Sequence, residues 1–594
     1  MWEKDATQRG GFGSFWHALV RGIANGGCLC YNEGTYFVHE RKNAMQRLFP
    51  THLIRKTDSA APLWTLSVLD RDMPPMKALV PGAWEMIPAL HNYRGRAVYE
   101  QTVFAGGNVR FVFGGVSFWA KVYLDGALLA EHYGAYTAFD AIAKDVPYGE
   151  HVLRVEVDNR FSEESALHFP NDYYSYGGIT RPVAVEHLGD VYVRQLHVTP
   201  VRTAEGWQAR VEAIVANLTD AALACDVRLE AAEQEALVPV EVAPCGEIVI
   251  TQVIDCPDVQ AWEVDAPALY DVSAVIETDD EPVDDLRDRF GFRTVEIAGK
   301  DILFNGKKLT IKGFNRHEEY GPFGCTIPVE AMAHDILLMK DMHCNAVRTC
   351  HYPNDPRFLD LCDEMGLLVW EESHARGIEE AGMRNPNFMP QNLLCTREMV
   401  VQHYNHPAIF IWGCLNECAD ETDYGADCYR QTYRLLDELD ASRPMTAALL
   451  DRPGGKVFGD SDVVSINIYP QWYYESPVKD AIDKKRREII AGGGGDKPLI
   501  ISEIGGGAVY GYHDPIGEAK WSEERQCTIL REQIEAVLTH PDCSGIFIWQ
   551  LADVRVDEEW AMKRPRTHNN KGVVNEYRQP KMSYQVVKEL IGKL

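Results

Sequence analysis

Eight short apolar β-type runs, separated mostly by helical segments, follow one another through roughly the last 300 residues of the chain. They are Leu309–Gly313, Asn345–Thr349, Leu367–Glu371, Ile409–Cys414, Met445–Leu449, Val463–Ile468, Leu499–Ser502 and Gly545–Trp549. A run that is apolar throughout needs cover on both faces, and parallel strands joined by helices receive it. The intervening segments have helical periodicity: Met332, Ile336 and Met339 share one face, as do Cys527, Leu530, Ile534 and Val537. Eight strand–helix units over this length predict a (β/α)8 TIM barrel at residues 299–594.

Two of the runs end in a carboxylate. Residues 408–420 read AIFIWGCLNECAD, so Asn416-Glu417 follows the fourth run directly. Residues 498–505 read PLIISEIG and place Glu503 at the end of the seventh. Barrels hold their chemistry at the C-terminal ends of the strands. Two glutamates there suit acid–base and nucleophilic work on a glycosidic bond; the plain alternative is that each caps a following helix.

Upstream the pattern is all-β. Arg110–Phe113, Ala120–Leu124 and Leu128–His132 read as strands, with Asp125-Gly126 as the hairpin between the last two. Residues 48–189 are expected to form one β-sandwich and 190–298 a second, with a large acidic loop from Glu277 to Asp288. Residues 1–47 stand apart as an N-terminal extension in which Phe12, Trp16, Leu19, Val20 and Ile23 share a helical face.

The bulk numbers exclude whole classes of partner. A net charge of −29 opposes binding to nucleic acid and to anionic membrane surfaces. It also means that an anionic small molecule needs a local cationic pocket. No apolar run reaches the ~18 residues of a membrane span. Fifteen cysteines without framework spacing or a CxxC pair predict free thiols and a cytoplasmic, reducing setting. No metal-ligand spacing appears, and the Gly492–Gly495 run lacks the Lys-Ser/Thr of a phosphate loop, so neither metal nor cofactor is expected.

The motifs Phe290-Gly-Phe-Arg293, Gly313-Phe-Asn-Arg-His-Glu318, Arg348-Thr-Cys-His-Tyr-Pro353, Asn416-Glu417, Ser502-Glu503 and Trp549-Gln-Leu-Ala-Asp553 occur in this order. In them, from about Leu48 to the C-terminus, the chain resembles glycoside hydrolase family 2, and within it the β-glucuronidases. The resemblance implies a jelly-roll sandwich, an immunoglobulin-like sandwich and a catalytic TIM barrel. It implies Glu417 as acid/base and Glu503 as nucleophile of a retaining exo-enzyme, and commonly a dimer or tetramer.

Further site residues follow from the same resemblance. Asn569-Asn-Lys571 matches the family's Asn-x-Lys grip on a uronate carboxylate, although such a tripeptide alone reads as a solvated turn. Asp172, in PNDYYSYGGITRPV, matches an aspartate sent from the jelly roll to the sugar's O4 side, and Tyr473 a tyrosine that flanks the nucleophile. Asn416 is expected on the 2-hydroxyl, its plain alternative being a helix cap. Tyr469, His317 and His351 are expected as binding residues, and Trp549 as a sugar floor or a barrel-core tryptophan. Arg564 and Arg566 either reinforce the carboxylate pocket or are solvated. The chain departs from glucuronidases at Asn467-Ile-Tyr-Pro470, Ile504-Gly505, Cys418 and Arg376. The resemblance implies a terminal β-glucuronide as the substrate, while these departures support a β-galacturonide as the alternative, ahead of a β-galactoside or a non-catalytic carbohydrate-binding role.

Overall fold

The computed structural model describes residues 46–594. The N-terminal helical face and most of the extension lie outside them. Among the described residues the chain adopts the expected architecture of two β-sandwiches followed by a closed barrel.

The first sandwich is built on two long bent strands, Arg96–Phe113 and Phe139–Asp158, paired antiparallel along their length. The register shifts around Gly107, which has φ 72°, so each strand continues through a bend. Arg110–Phe113 is thus the end of an 18-residue strand rather than a strand by itself. The Asp125-Gly126 hairpin forms as expected, with φ of 49° and 86°. Trp64, Trp84, Tyr99, Phe111 and Phe113 fill the core between the layers.

In the second sandwich a three-stranded sheet (Val191–Arg202, Trp207–Asn217, Glu247–Cys256) accompanies a four-stranded one ending in Tyr270–Thr278 and Glu281–Phe290. The expected acidic loop is therefore a β-hairpin. Asp279 and Asp280 both take left-handed φ (52° and 65°), which short polar side chains tolerate, and close a two-residue turn. The acidic residues beyond it are absorbed by partners distant in sequence. Asp284 accepts from Arg55, and Asp285 accepts from the backbone N–H groups of Leu53, Ile54 and Arg55.

The barrel strands are β1 (Ile311–Arg316), β2 (Ala346–Thr349), β3 (Leu368–Glu372), β4 (Ile409–Cys414), β5 (Met445–Leu450), β6 (Val464–Asn467), β7 (Leu499–Ile504) and β8 (Cys543–Ile548). All eight pair parallel and the sheet closes from β8 to β1. Strand β1 begins two residues later than the pattern suggests, because Leu309 bonds back to Ile302 in the preceding Asn305-Gly306 hairpin. Met332, Ile336 and Met339 are buried against the barrel, as are Leu530, Ile534 and Val537, with Cys527 half-buried.

Both sandwiches are fastened to the barrel. Arg293 of the Phe-Gly-Phe-Arg motif donates to the carbonyls of Pro407 and Ile409 at the base of β4. Arg181 of the first sandwich donates to Glu318 (2.7 Å) and to the carbonyl of Pro353 (2.8 Å) beyond β1 and β2. Arg94 pairs with Asp557 beyond β8 at 2.7 Å. The first sandwich is therefore locked to the C-terminal rim of the barrel. No helix among the described residues is long and apolar enough to cross a membrane, and the described cysteines are free thiols.

Candidate active site

The C-terminal mouth of the barrel opens into a cavity of about 420 Å³ lined by Asp172, Arg376, Glu417, Asn467, Tyr469, Tyr473, Glu503, Trp549 and Lys571, among others. Residues from the first sandwich, from the end of β7 and from the segments after β3, β4, β5, β6 and β8 thus meet in one place.

Glu417 follows β4 in a strained backbone conformation. Its φ is 52°, and its N–H donates to the carbonyl of Ala448 on β5 (2.8 Å), which holds the turn. Neither glutamate caps a helix: the helix after β4 starts at Asp423 with Thr422 as its cap, and the one after β7 is capped by Ser522. Asn467, at the end of β6, donates to Glu417 Oε1 at 3.0 Å and is itself held by the Ser502 hydroxyl at 2.7 Å.

Glu503 sits deeper and is gripped from two sides. Arg348 donates to its Oε1 at 2.9 Å, and the Tyr469 hydroxyl to its Oε2 at 2.6 Å. Tyr469, not Tyr473, is therefore the tyrosine on this carboxylate. Burial, followed by the nearby Glu417 charge, pushes the Glu503 carboxyl up to about 7 against these two donors.

Arg348 is the organiser beneath the site. Fully buried on β2, it also donates to both oxygens of Glu372 (2.8 Å each) and to the side-chain carbonyls of Asn315 and Asn416 (2.8 Å each). With its oxygen engaged, the Asn416 amide leaves its buried Nδ2 without a partner and free to donate. His351 shares the Glu372 carboxylate at 2.9 Å and stacks on Trp549 at 5.1 Å. His317 meets the edge of Trp549 and bonds the Tyr352 hydroxyl (3.1 Å). Burial drives both histidines well below the usual range, so they are neutral at pH 7. His317, Cys350 and His351 bring ligand-type atoms within 4.8 Å of one another, a proximity that no sequence spacing announced.

The other end of the cavity centres on Asp172. Arg376 reaches its Oδ1 at 3.2 Å and Glu417 at 3.6 Å. Arg564 donates to Asp172 Oδ2 at 3.1 Å, and Asn569 donates to the same oxygen at 3.2 Å. Asn569 in turn accepts from Lys571 Nζ at 3.4 Å, and Lys571 lies 5.4 Å from the Tyr473 ring centre. Burial opposes the charge of Asp172, yet Arg376, Lys571 and Arg564 hold its carboxyl well below the usual carboxylate range. The Tyr473 phenol is likewise lowered, because Lys571 and Arg564 outweigh its burial. Arg566 turns away and pairs with Glu576. Three cations therefore line the cavity against the single carboxylate of Asp172 at this end.

Sequence reasoning missed Arg348 and Asn467 as individual site residues, and Glu372, Leu450, Asp451 and Trp560 altogether. The charged ends of otherwise apolar β2 and β3 were the available signal for Arg348 and Glu372.

A family model described as glycosyl hydrolases family 2, TIM barrel domain, matches residues 295–594, and a second, glycosyl hydrolases family 2, matches 191–293. The chain belongs to glycoside hydrolase family 2. Among members of the family, it is similar to a putative β-glucuronidase of Formosa agariphila (28% identity over 86% of this chain and 66% of that one). A β-glucuronidase of Streptococcus agalactiae is 27% identical over 80% of this chain and 84% of that one. Among solved structures, a family 2 β-galacturonidase from Eisenbergiella tayi bound to galacturonate is 47% identical. It superposes with a TM-score of 0.91 and covers 93% of this chain and 99% of that one. A β-D-glucuronidase of Dictyoglomus thermophilum is 25% identical with a TM-score of 0.79, over 91% and 98% of the two chains. This family 2 chain is thus a glycoside hydrolase.

Proposed function

We propose that the enzyme is a retaining exo-β-hexuronidase that removes terminal β-D-galacturonides in preference to β-D-glucuronides. The observation that carries this reading is the cation excess of Arg376, Arg564 and Lys571 around Asp172, in the same cavity as Glu417 and Glu503. In a protein of net charge −29, such a pocket is a local exception that suits a sugar carboxylate.

Glu503 attacks the anomeric carbon while Glu417 gives its proton to the leaving oxygen, producing a glycosyl ester and a free alcohol. Having given up its proton, Glu417 is left as a carboxylate beside an uncharged ester, and it takes a proton from water as that water attacks C1. The attack breaks the bond between C1 and Glu503, releasing the sugar with its starting anomeric configuration and restoring both glutamates. Arg348 and Tyr469 favour the carboxylate form of Glu503 and fix its direction. The free Nδ2 of Asn416 suits the 2-hydroxyl, and Trp549 suits a floor to the ring. Lys571, steered by Asn569, suits the uronate carboxylate.

The galacturonide preference is supported by the 47% identity to an enzyme solved with galacturonate, against 25–28% for the β-glucuronidases compared. Arg376, absent from the glucuronidase pattern, stands beside Asp172 at the O4 end. The test is side-by-side hydrolysis of p-nitrophenyl β-galacturonide, β-glucuronide and β-galactoside, with proton NMR of the first-formed anomer. Galacturonide first and neutral galactoside last, with the β-anomer released, is the expected result. Galactoside ahead of both uronides would overturn it.

A further inference from the structure

All three cations that line the cavity gather at the Asp172 end: Arg376 and Arg564 pair with Asp172, and Lys571 bonds its neighbour Asn569. The lining beyond Glu417 is different in kind. Leu450 and Asp451 close it at the end of β5, directly after the Ala448 carbonyl that anchors Glu417, and Tyr474 joins them from the loop after β6. The Tyr474 hydroxyl donates to Asp451 at 3.3 Å. The ammonium of Lys485 holds Asp451 at 2.8 Å, but Lys485 is buried and does not line the cavity. It is also shared with Glu488 at 2.7 Å, so the group of three stays net negative. Tyr473 and Tyr474 are 55% and 37% exposed, which places apolar ring surface at the mouth.

We propose that Leu450, Asp451 and Tyr474 form a leaving-group subsite for an uncharged or cationic aromatic alcohol, one that rejects an anionic leaving group. This rests on the hexuronidase reading, which fixes which end takes the sugar carboxylate. With the uronate at Lys571 and the anomeric carbon over Glu503, the glycosidic oxygen lies at Glu417. The leaving group then leads away from the cations and toward Asp451. A neutral aryl group gains ring contact with Tyr474. A second carboxylate or a sulfonate meets Asp451, and the lining cation that reaches Glu417, Arg376, is already shared with Asp172. A conjugate of a neutral phenol is therefore a substrate, and a uronide of another uronic acid is a poor one. One such like-charge encounter at the edge of solvent corresponds to about tenfold in kcat/KM.

The experiment compares aryl β-galacturonides whose phenols carry a para carboxamide, a para sulfonate or a para trimethylammoniomethyl group. The same series is run on wild type and on Asp451→Asn. Wild type should favour the carboxamide over the sulfonate by about tenfold, with the cationic compound at least equal to the carboxamide. Asp451→Asn should narrow the sulfonate-to-carboxamide ratio by several fold relative to wild type, and in that comparison of the two enzymes the intrinsic leaving ability of each phenol cancels. High salt should narrow the wild-type gap in the same direction, since the mouth is open to solvent. Hydrolysis of all three with a ratio unmoved by Asp451→Asn and by salt would overturn the subsite while leaving the hexuronidase reading intact. No turnover of any of the three would overturn both.

Discussion

Two of the buried charge clusters that join the first sandwich to the rest of the molecule are balanced in opposite ways. At the junction with the second sandwich, Arg55 meets two carboxylates. Its Nε and Nη2 donate to Asp284 (2.9 and 2.8 Å), Nη1 donates to Glu186 (2.8 Å), and Nη2 also donates to the Val193 carbonyl (2.6 Å). Every guanidinium nitrogen is used. At the junction with the barrel, three cations surround Asp172, and the Nε atoms of Arg376 and Arg564 are buried without a partner. A saturated cluster holds domains together. One with surplus charge and idle donors carries a desolvation cost that Asp172 and Glu417 offset only in part and that an anionic ligand can offset further.

The sharpest way to break this comparison is Glu503→Gln. Turnover should fall by several orders of magnitude because the proposed nucleophile is lost. Stability should move the other way at neutral and higher pH. The folded-state pKa of Glu503, about 7, lies above its ordinary 4.5. The stability this group contributes is therefore fully present below about 4.5 and lost as pH rises through 7. The variant should melt above wild type at pH 8, and the gap should close toward pH 5. A variant that melts lower than wild type at both pH values would show that the site charge is not a stability cost.

Lys571→Ala tests the surplus cluster directly. Removing the cation that faces a buried substrate carboxylate should cost about 3–5 kcal/mol in kcat/KM for the uronide. The neutral galactoside, poor for wild type, should change little. Equal losses on both substrates would mean that lysine and carboxylate never meet. Galacturonate itself should raise the melting temperature of wild type through binding to the folded state, and fail to do so for Lys571→Ala.

Arg55→Met tests the saturated cluster. It leaves Asp284 and Glu186 with one cationic partner fewer, and should destabilise the fold by about 3–5 kcal/mol in calorimetry or denaturant titration. The protein that remains folded should keep the wild-type ratio of uronide to neutral-sugar kcat/KM. A changed ratio would mean that this junction also shapes the site.

The smallest expected effect concerns Glu417→Gln. Aryl uronides with strongly acidic phenols should lose far less than alkyl uronides, since only the latter need the proton. Uniform losses across leaving groups would assign Glu417 some other task.

The sequence by itself determined the barrel, because eight apolar runs at strand length, spaced by amphipathic segments, can be buried in few other ways. It also determined which strands bear the carboxylates: Glu417 and Glu503 follow runs whose boundaries were readable to within a few residues. The Asp125-Gly126 and Asn305-Gly306 hairpins were equally legible, since their conformations depend on two adjacent residues.

What depends on contacts across the chain was decided only by the tertiary structure. The acidic stretch from Glu277 to Asp288 read as a loop because its partners, Arg55 and the backbone of residues 53–55, lie more than 220 positions away. Arg348 read as one letter of a motif, although it joins Glu372, Asn416 and Glu503 from three other strand ends. Tyr469 and Tyr473 were indistinguishable as neighbours in sequence, but one bonds the Glu503 carboxylate and the other faces Lys571. Local pattern encodes burial, which is a property of single segments. Which charge meets which is a property of the closed barrel, where strands far apart in sequence end within a hydrogen bond of one another.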